Sequence, residues 1–109
     1  MRAEAHVDAG ICGYSAVVSA EAQDPLGMAA LTLDTDCPYM ARLGKSFDVE
    51  IIDMVQGGRG SETFQKLSAA VPALHFPCPI VNGIFQAVRI AAGLSLPREI
   101  RIAFTKEKT

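Results

Sequence analysis

Four side chains of this sequence can do chemistry beyond solvation: Cys12, Cys37, His75 and Cys78. Cys37 and Cys78 each stand immediately before a proline, in Cys37-Pro38 and Cys78-Pro79. Proline has no N–H and a fixed φ, so it suits the first position of a helix and puts the cysteine at or next to the N-cap. The positive end of the helix dipole favours thiolate over thiol there. Thiolate is the form that binds a metal or attacks an electrophile. Cys12 precedes Gly13, a residue that tolerates unusual backbone and lets a ligand approach. His75 lies three residues before Cys78. Three thiolates and an imidazole make a Cys₃His set, which zinc accepts tetrahedrally and which also suits an iron–sulfur cluster. The simplest alternative is that each cysteine is a small buried hydrophobe. No C-x₂-C pair is present.

The elements that must position these groups follow from periodicity. "AEAHVDA", "YSAVVSAEA" and "MAALTLDT" alternate small or apolar residues with polar ones, and Asp24-Pro25-Leu26-Gly27 is a turn signal. Short connections between them predict an antiparallel meander. "PYMARLGKSF" reads as a short helix that starts at Pro38 and ends by Gly44, whereas "DVEIIDMV" fits strand or helix equally. Ser61 is the expected N-cap of a helix over "ETFQKLSAA", closed by Pro72. Pro79 to Ala92 is the strongest helix, with Ile80, Ile84, Ala87, Val88 and Ala91 on one face and Gly93 as its stop. "REIRIAF", residues 98–104, alternates again and reads as a final strand. The expected fold is a single α+β domain over residues 1–109. It has a three-stranded antiparallel meander plus a C-terminal strand, with one face covered by helices as a two-layer sandwich.

Composition narrows the function classes. Half of the 109 residues are hydrophobic and a fifth are charged, enough apolar material for one core. The net charge is −2 and no Lys/Arg run occurs, so nucleic acid is not an expected partner. "MRAEAHVDAG" lacks the apolar core of a signal peptide. The charge-free stretch from Leu67 to Val88 is broken by Pro72, Pro77 and Pro79, so no membrane partner is expected. The expected compartment is the cytoplasm, where thiols stay reduced.

In its order of cysteines and histidine the chain resembles the iron–sulfur cluster scaffold proteins of the NifU/IscU type. Cys12-Gly13, Cys37 before "PYMARL", and His75 to Cys78 before "PIVNGIFQAV" carry the likeness, over roughly residues 5 to 92. It implies a sheet with one helical layer and a site at one end for a transient cluster or zinc, held by Cys12, Cys37, His75 and Cys78. Tyr14 stands where that pattern has Asp, Pro38 where it has Gly, and Phe76-Pro77 separate a His and Cys that are adjacent there. The run "CPIVNGIFQAVRIAAGLSLP" also resembles a small cysteine-containing family without an assigned function.

Three functions are therefore weighed. The first is a metal or iron–sulfur binding module, scaffold-like in character. The second is a thiol enzyme with Cys78 as nucleophile, His75 as base and Asp36 as orienter. The third is an interaction domain with buried cysteines that takes a protein partner or a second copy of itself, with "REIRIAF" as an edge strand.

Overall fold

The computed structural model describes residues 1–10, 13–24, 27–56, 60–71 and 78–105. It is an α+β fold built on a four-stranded antiparallel sheet in the order β1-β2-β3-β4. The strands are β1 (Arg2–Asp8), β2 (Ser15–Ala22), β3 (Met28–Thr35) and β4 (Ser46–Glu50). Three helices follow: α1 (Ile51–Gln56), α2 (Glu62–Ala69) and α3 (Pro79–Ala91).

The meander forms because alternation sorts each strand into a buried and a wet face. On β2, Ala16, Val18, Ala20 and Ala22 are buried, and on β3 so are Ala29, Leu31 and Leu33. The opposite face, with Glu4, His6, Glu21, Thr32 and Asp34, stays open to solvent or nearly so. His6 is on that wet face, its Nε2 2.8 Å from Glu4 Oε1. Met28, which reads as a core filler, also lies there at 55% exposure, while Met40 and Met54 are fully buried.

α3 is the lid of the sandwich. Ile80, Ile84, Ala87, Val88 and Ala91 are buried as the spacing predicts, and Val81 and Phe85 join them. Burying each large side chain of this set contributes about 1.5–3 kcal/mol. The alanine-rich inner face of the sheet lets the helix lie close. At Gly83 the approach is tightest: a Cβ there would sit 2.6 Å from Val7 Cγ2. The helix ends in a Schellman motif, with Gly93 N–H donating to Ile90 O and Leu94 N–H to Arg89 O.

One open segment resolves and two expectations need correction. The segment 48–56 is neither strand nor helix throughout. It is strand to Glu50, with Phe47 and Val49 inward at period two, and helix from Ile51, with Ile51 and Met54 buried three apart. The helix expected from Pro38 starts later, as a 3₁₀ turn, Met40–Leu43, with Tyr39 at its N-cap, and it stops at Gly44 (φ +88°) as expected. The fourth strand is Ser46–Glu50, not 98–104. Residues 98–104 have no ladder partner among the described residues and are exposed throughout. A ten-residue connection brings Ser46–Glu50 back beside β3, and a strand needs a neighbour as well as an alternating pattern.

Candidate functional site

The position of each cysteine follows from one row of the sheet. Val7 pairs with Ala16, and Ala16 with Thr35. Cys37 lies two residues past Thr35, and its N–H donates to Thr35 Oγ1 at 3.0 Å. Gly83 packs on Val7 at the other side of the same row. Cys78 precedes Gly83 by five residues, about 7.5 Å along the helix axis. The direction of α3 decides where that leads. Near its C-terminus, Arg89 Nη2 donates to Met54 O at 2.9 Å, in the helix that follows β4. β4 ends at Glu50 beside Met28, at the far end of the sheet. Hence α3 runs from the Thr35 end to the Met28 end, and Cys78 starts at the end where Cys37 sits.

Both thiols are free and buried, Cys37 at 4% and Cys78 at 8% exposure, and both belong to the main hydrophobic core. Cys78 is the N-cap of α3, with extended backbone and Pro79 in the first turn, as the sequence predicts. Its side chain makes no capping hydrogen bond. Cys37 is not an N-cap: it precedes the 3₁₀ turn by three residues, and its carbonyl accepts from Ala41 N–H. Of the two Cys-Pro pairs, only Cys78-Pro79 therefore places its cysteine at a helix start.

The turn between β1 and β2 lies at the same end. Its described flanks, Gly10 and Gly13, have φ of +64° and +74°, a region that favours glycine, and Gly13 N–H donates to Gly10 O at 2.9 Å. Asp8 Oδ1 caps this turn through Gly10 N–H. Cys12 lies outside the described residues, and so does His75. Residues 57–59 also fall outside them. Among the described residues no group of three or more His, Cys, Asp and Glu side chains is arranged to hold a metal ion.

A polar clamp joins the strands just below the thiols. Asp36 Oδ1 accepts from Ser15 N–H at 2.8 Å, and Thr35 Oγ1 donates to Ser15 O at 2.7 Å. Ser15 opens β2 two residues after Gly13, so the clamp fixes the Cys37 segment against the start of β2. Asp36 thus holds backbone. The role of Thr35 was readable only as a short hydroxyl side chain at a strand end, a common turn-forming signal. Tyr14 and Tyr39 are half-buried and pack against the same core.

A second polar cluster lies elsewhere. Asp53 accepts from Ser61 Oγ at 2.8 Å and from the N–H groups of Glu62 and Thr63 at 3.0 Å each, while Ser61 Oγ accepts from Phe64 N–H. Burial pushes the Asp53 carboxyl up, but hydrogen bonds from Thr63, Ser61 and Glu62 outweigh it and hold its pKa below the ordinary value. Every donor is accounted for by capping α2, with Ser61 as the expected N-cap. The uncovered face of the sheet has a shallow depression lined by Val17, Ser19, Thr32, Asp34, Lys45 and Ser46. It holds neither cysteine.

A family model matches residues 3–104, nearly the whole chain. The chain belongs to DUF6951, a family of unknown function. The DUF6951 match spans positions 12, 37, 75 and 78 together, and it continues past α3 to Phe104. Comparison with curated proteins and with solved structures returns no match. Among the described residues of this DUF6951 chain, no helix is long and apolar enough to cross a membrane.

Proposed function

We propose that this chain is a metal or iron–sulfur binding module whose ligands are Cys12, Cys37, His75 and Cys78. One observation carries the reading: Cys37 and Cys78 come from distant parts of the chain, yet both lie buried at the end of the sheet that also holds the Gly10–Gly13 turn. The donor set is soft, which suits zinc or an iron–sulfur cluster over a hard cation. The order of ligands is scaffold-like, and transient holding of a cluster or zinc is the corresponding role. Burial of Cys78 and engagement of Asp36 by Ser15 favour this over a thiol enzyme, which needs an accessible nucleophile and a free orienting carboxylate.

The test is metal analysis of protein purified without oxygen. Zinc or iron near one equivalent per chain is expected. Cys78→Ala and His75→Ala should each lose most of it while keeping the far-UV circular dichroism of the parent. Metal-free wild type with stoichiometric free thiols, unable to take up zinc on titration, would refute the proposal.

A further inference from the structure

We infer that residues Arg98–Phe104 pair as a fifth strand with the outer edge of β1 in a second copy of the chain, and that two copies exchange these segments. The segment follows α3 after residues 92–97, forms no regular element and is exposed throughout. Ile100, Ile102 and Phe104 fall on one side at 56%, 73% and 82% exposure. A row of three large apolar side chains held in water, with Glu99 and Arg101 on the other side, is a strand without its sheet. The family match reaches Phe104, so the segment belongs to the domain.

β1 is the matching acceptor. It stands at the edge of the sheet, so one side of its backbone has no ladder partner among the described residues. Its inward residues Ala3, Ala5 and Val7 are only half-buried, whereas the inward residues of β2 are all buried. The core is therefore unfinished at this edge. β1 and the segment are both seven residues long, and the small Ala3 and Ala5 leave room for larger neighbours. A parallel register offset by one residue, with Arg98 beside Met1, sets Ile100, Ile102 and Phe104 beside Ala3, Ala5 and Val7. The same register sets Glu99 beside Arg2 and Arg101 beside Glu4, opposite charges in both pairs. Pro97, which cannot donate to a ladder, stands just ahead of the strand. Within one chain the segment does not close on its own β1. Reciprocal exchange satisfies both copies with one self-complementary contact.

Multi-angle light scattering of the full chain should give twice the 11.6 kDa chain mass. Ile102→Glu should raise the dimer dissociation constant at least about a hundredfold, because it puts an unpaired carboxylate at a buried position, and should leave the far-UV spectrum unchanged. Arg101→Glu should weaken the dimer, and Glu4→Arg in the same chain should restore it. A full-length chain that stays monomeric at high micromolar concentration overturns the inference. So does a dimer that survives deletion of residues 98–109, or strong hydrogen-exchange protection of 98–104 in a monomer, which would mean closure on the segment's own edge.

Discussion

Gly83→Ala tests the contact that sets α3 on the sheet and thereby places Cys78. In an exposed helix interior this change stabilises by about 1 kcal/mol, since alanine loses less backbone freedom on folding than glycine. Here the new methyl would lie 2.6 Å from Val7 Cγ2. Carbon atoms at rest lie about 3.5–4.0 Å apart, so roughly 1 Å of overlap must be relieved. Val7 is β-branched, with one strongly preferred χ1, and its backbone is held in the ladder opposite Ala16. It cannot swing away freely, and overpacking of this kind costs about 1–3 kcal/mol. The net change is a loss of about 0–2 kcal/mol.

The informative measurement is a double-mutant cycle by urea unfolding. In a Val7→Ala background the obstructing methyl groups are gone, and Gly83→Ala should then stabilise by about 1 kcal/mol, its intrinsic helix value. The coupling between the sites should be about 1–3 kcal/mol, well above the roughly 0.3–0.5 kcal/mol within which independent sites add. Unchanged m-values would show that only stability moved. If Gly83→Ala stabilises equally in both backgrounds, the helix does not rest on Val7, and the route from that row to Cys78 is wrong.

Other outcomes follow from the polar clusters. Asp53→Asn removes a charge-assisted acceptor from the start of α2 and should cost about 1–2 kcal/mol at neutral pH. Because the folded pKa of Asp53 is depressed, wild type has this contribution in full above the ordinary value of 3.8 and loses it as pH falls towards the folded value. The variant should lack that part of the acid limb, as read from urea midpoints against pH. Arg89→Met keeps the aliphatic stem but leaves Met54 O without its donor, a loss of about 1–3 kcal/mol by the same unfolding assay. Asp36→Ala should cost no more than about 1 kcal/mol, since the Ser15 bond is exposed. It should nonetheless weaken zinc uptake in a chelator competition, and Asp36→Asn, which keeps an acceptor, should restore it.

What was legible in the sequence were the elements that a local period and a local stop define together. β1 to β3 alternate and are separated by glycine-containing turns, and α3 has a 3.6-residue stripe between Pro79 and Gly93. The region from Cys37 to Gln56 was not legible, because each part is shorter than the window a period needs. Four residues of 3₁₀ helix, five of strand and six of α-helix follow one another with no glycine or proline between the last two. For "REIRIAF" the period was right for a strand, but alternation cannot say whether a neighbour exists. In the candidate site, the Cys78 N-cap was readable from Cys-Pro alone. Its location at the Cys37 end was not, because the direction of α3 depends on Gly83 against Val7 and Arg89 against Met54, contacts between residues far apart in sequence.

That direction also sets the exchange hinge apart from the thiols. α3 spans thirteen residues, about 20 Å at 1.5 Å per residue. Cys78 begins it at one end of the sheet, and the segment 98–104 leaves it at the other. In the proposed register the segment runs back along β1 and sets Ile102 beside Ala5, two residues from Val7 at the thiol end, whereas Ile100 lies beside Ala3 near the hinge; Ile100→Glu should therefore weaken the dimer and leave metal content per chain unchanged. Cys78→Ala acts at the opposite end from the exchange hinge and should leave the dimer intact. If Ile100→Glu abolished both properties, local damage at the hinge end would not explain it. The ligands would then have to be contributed across the dimer, with position 75 or 12 of one copy completing the cysteines of the other.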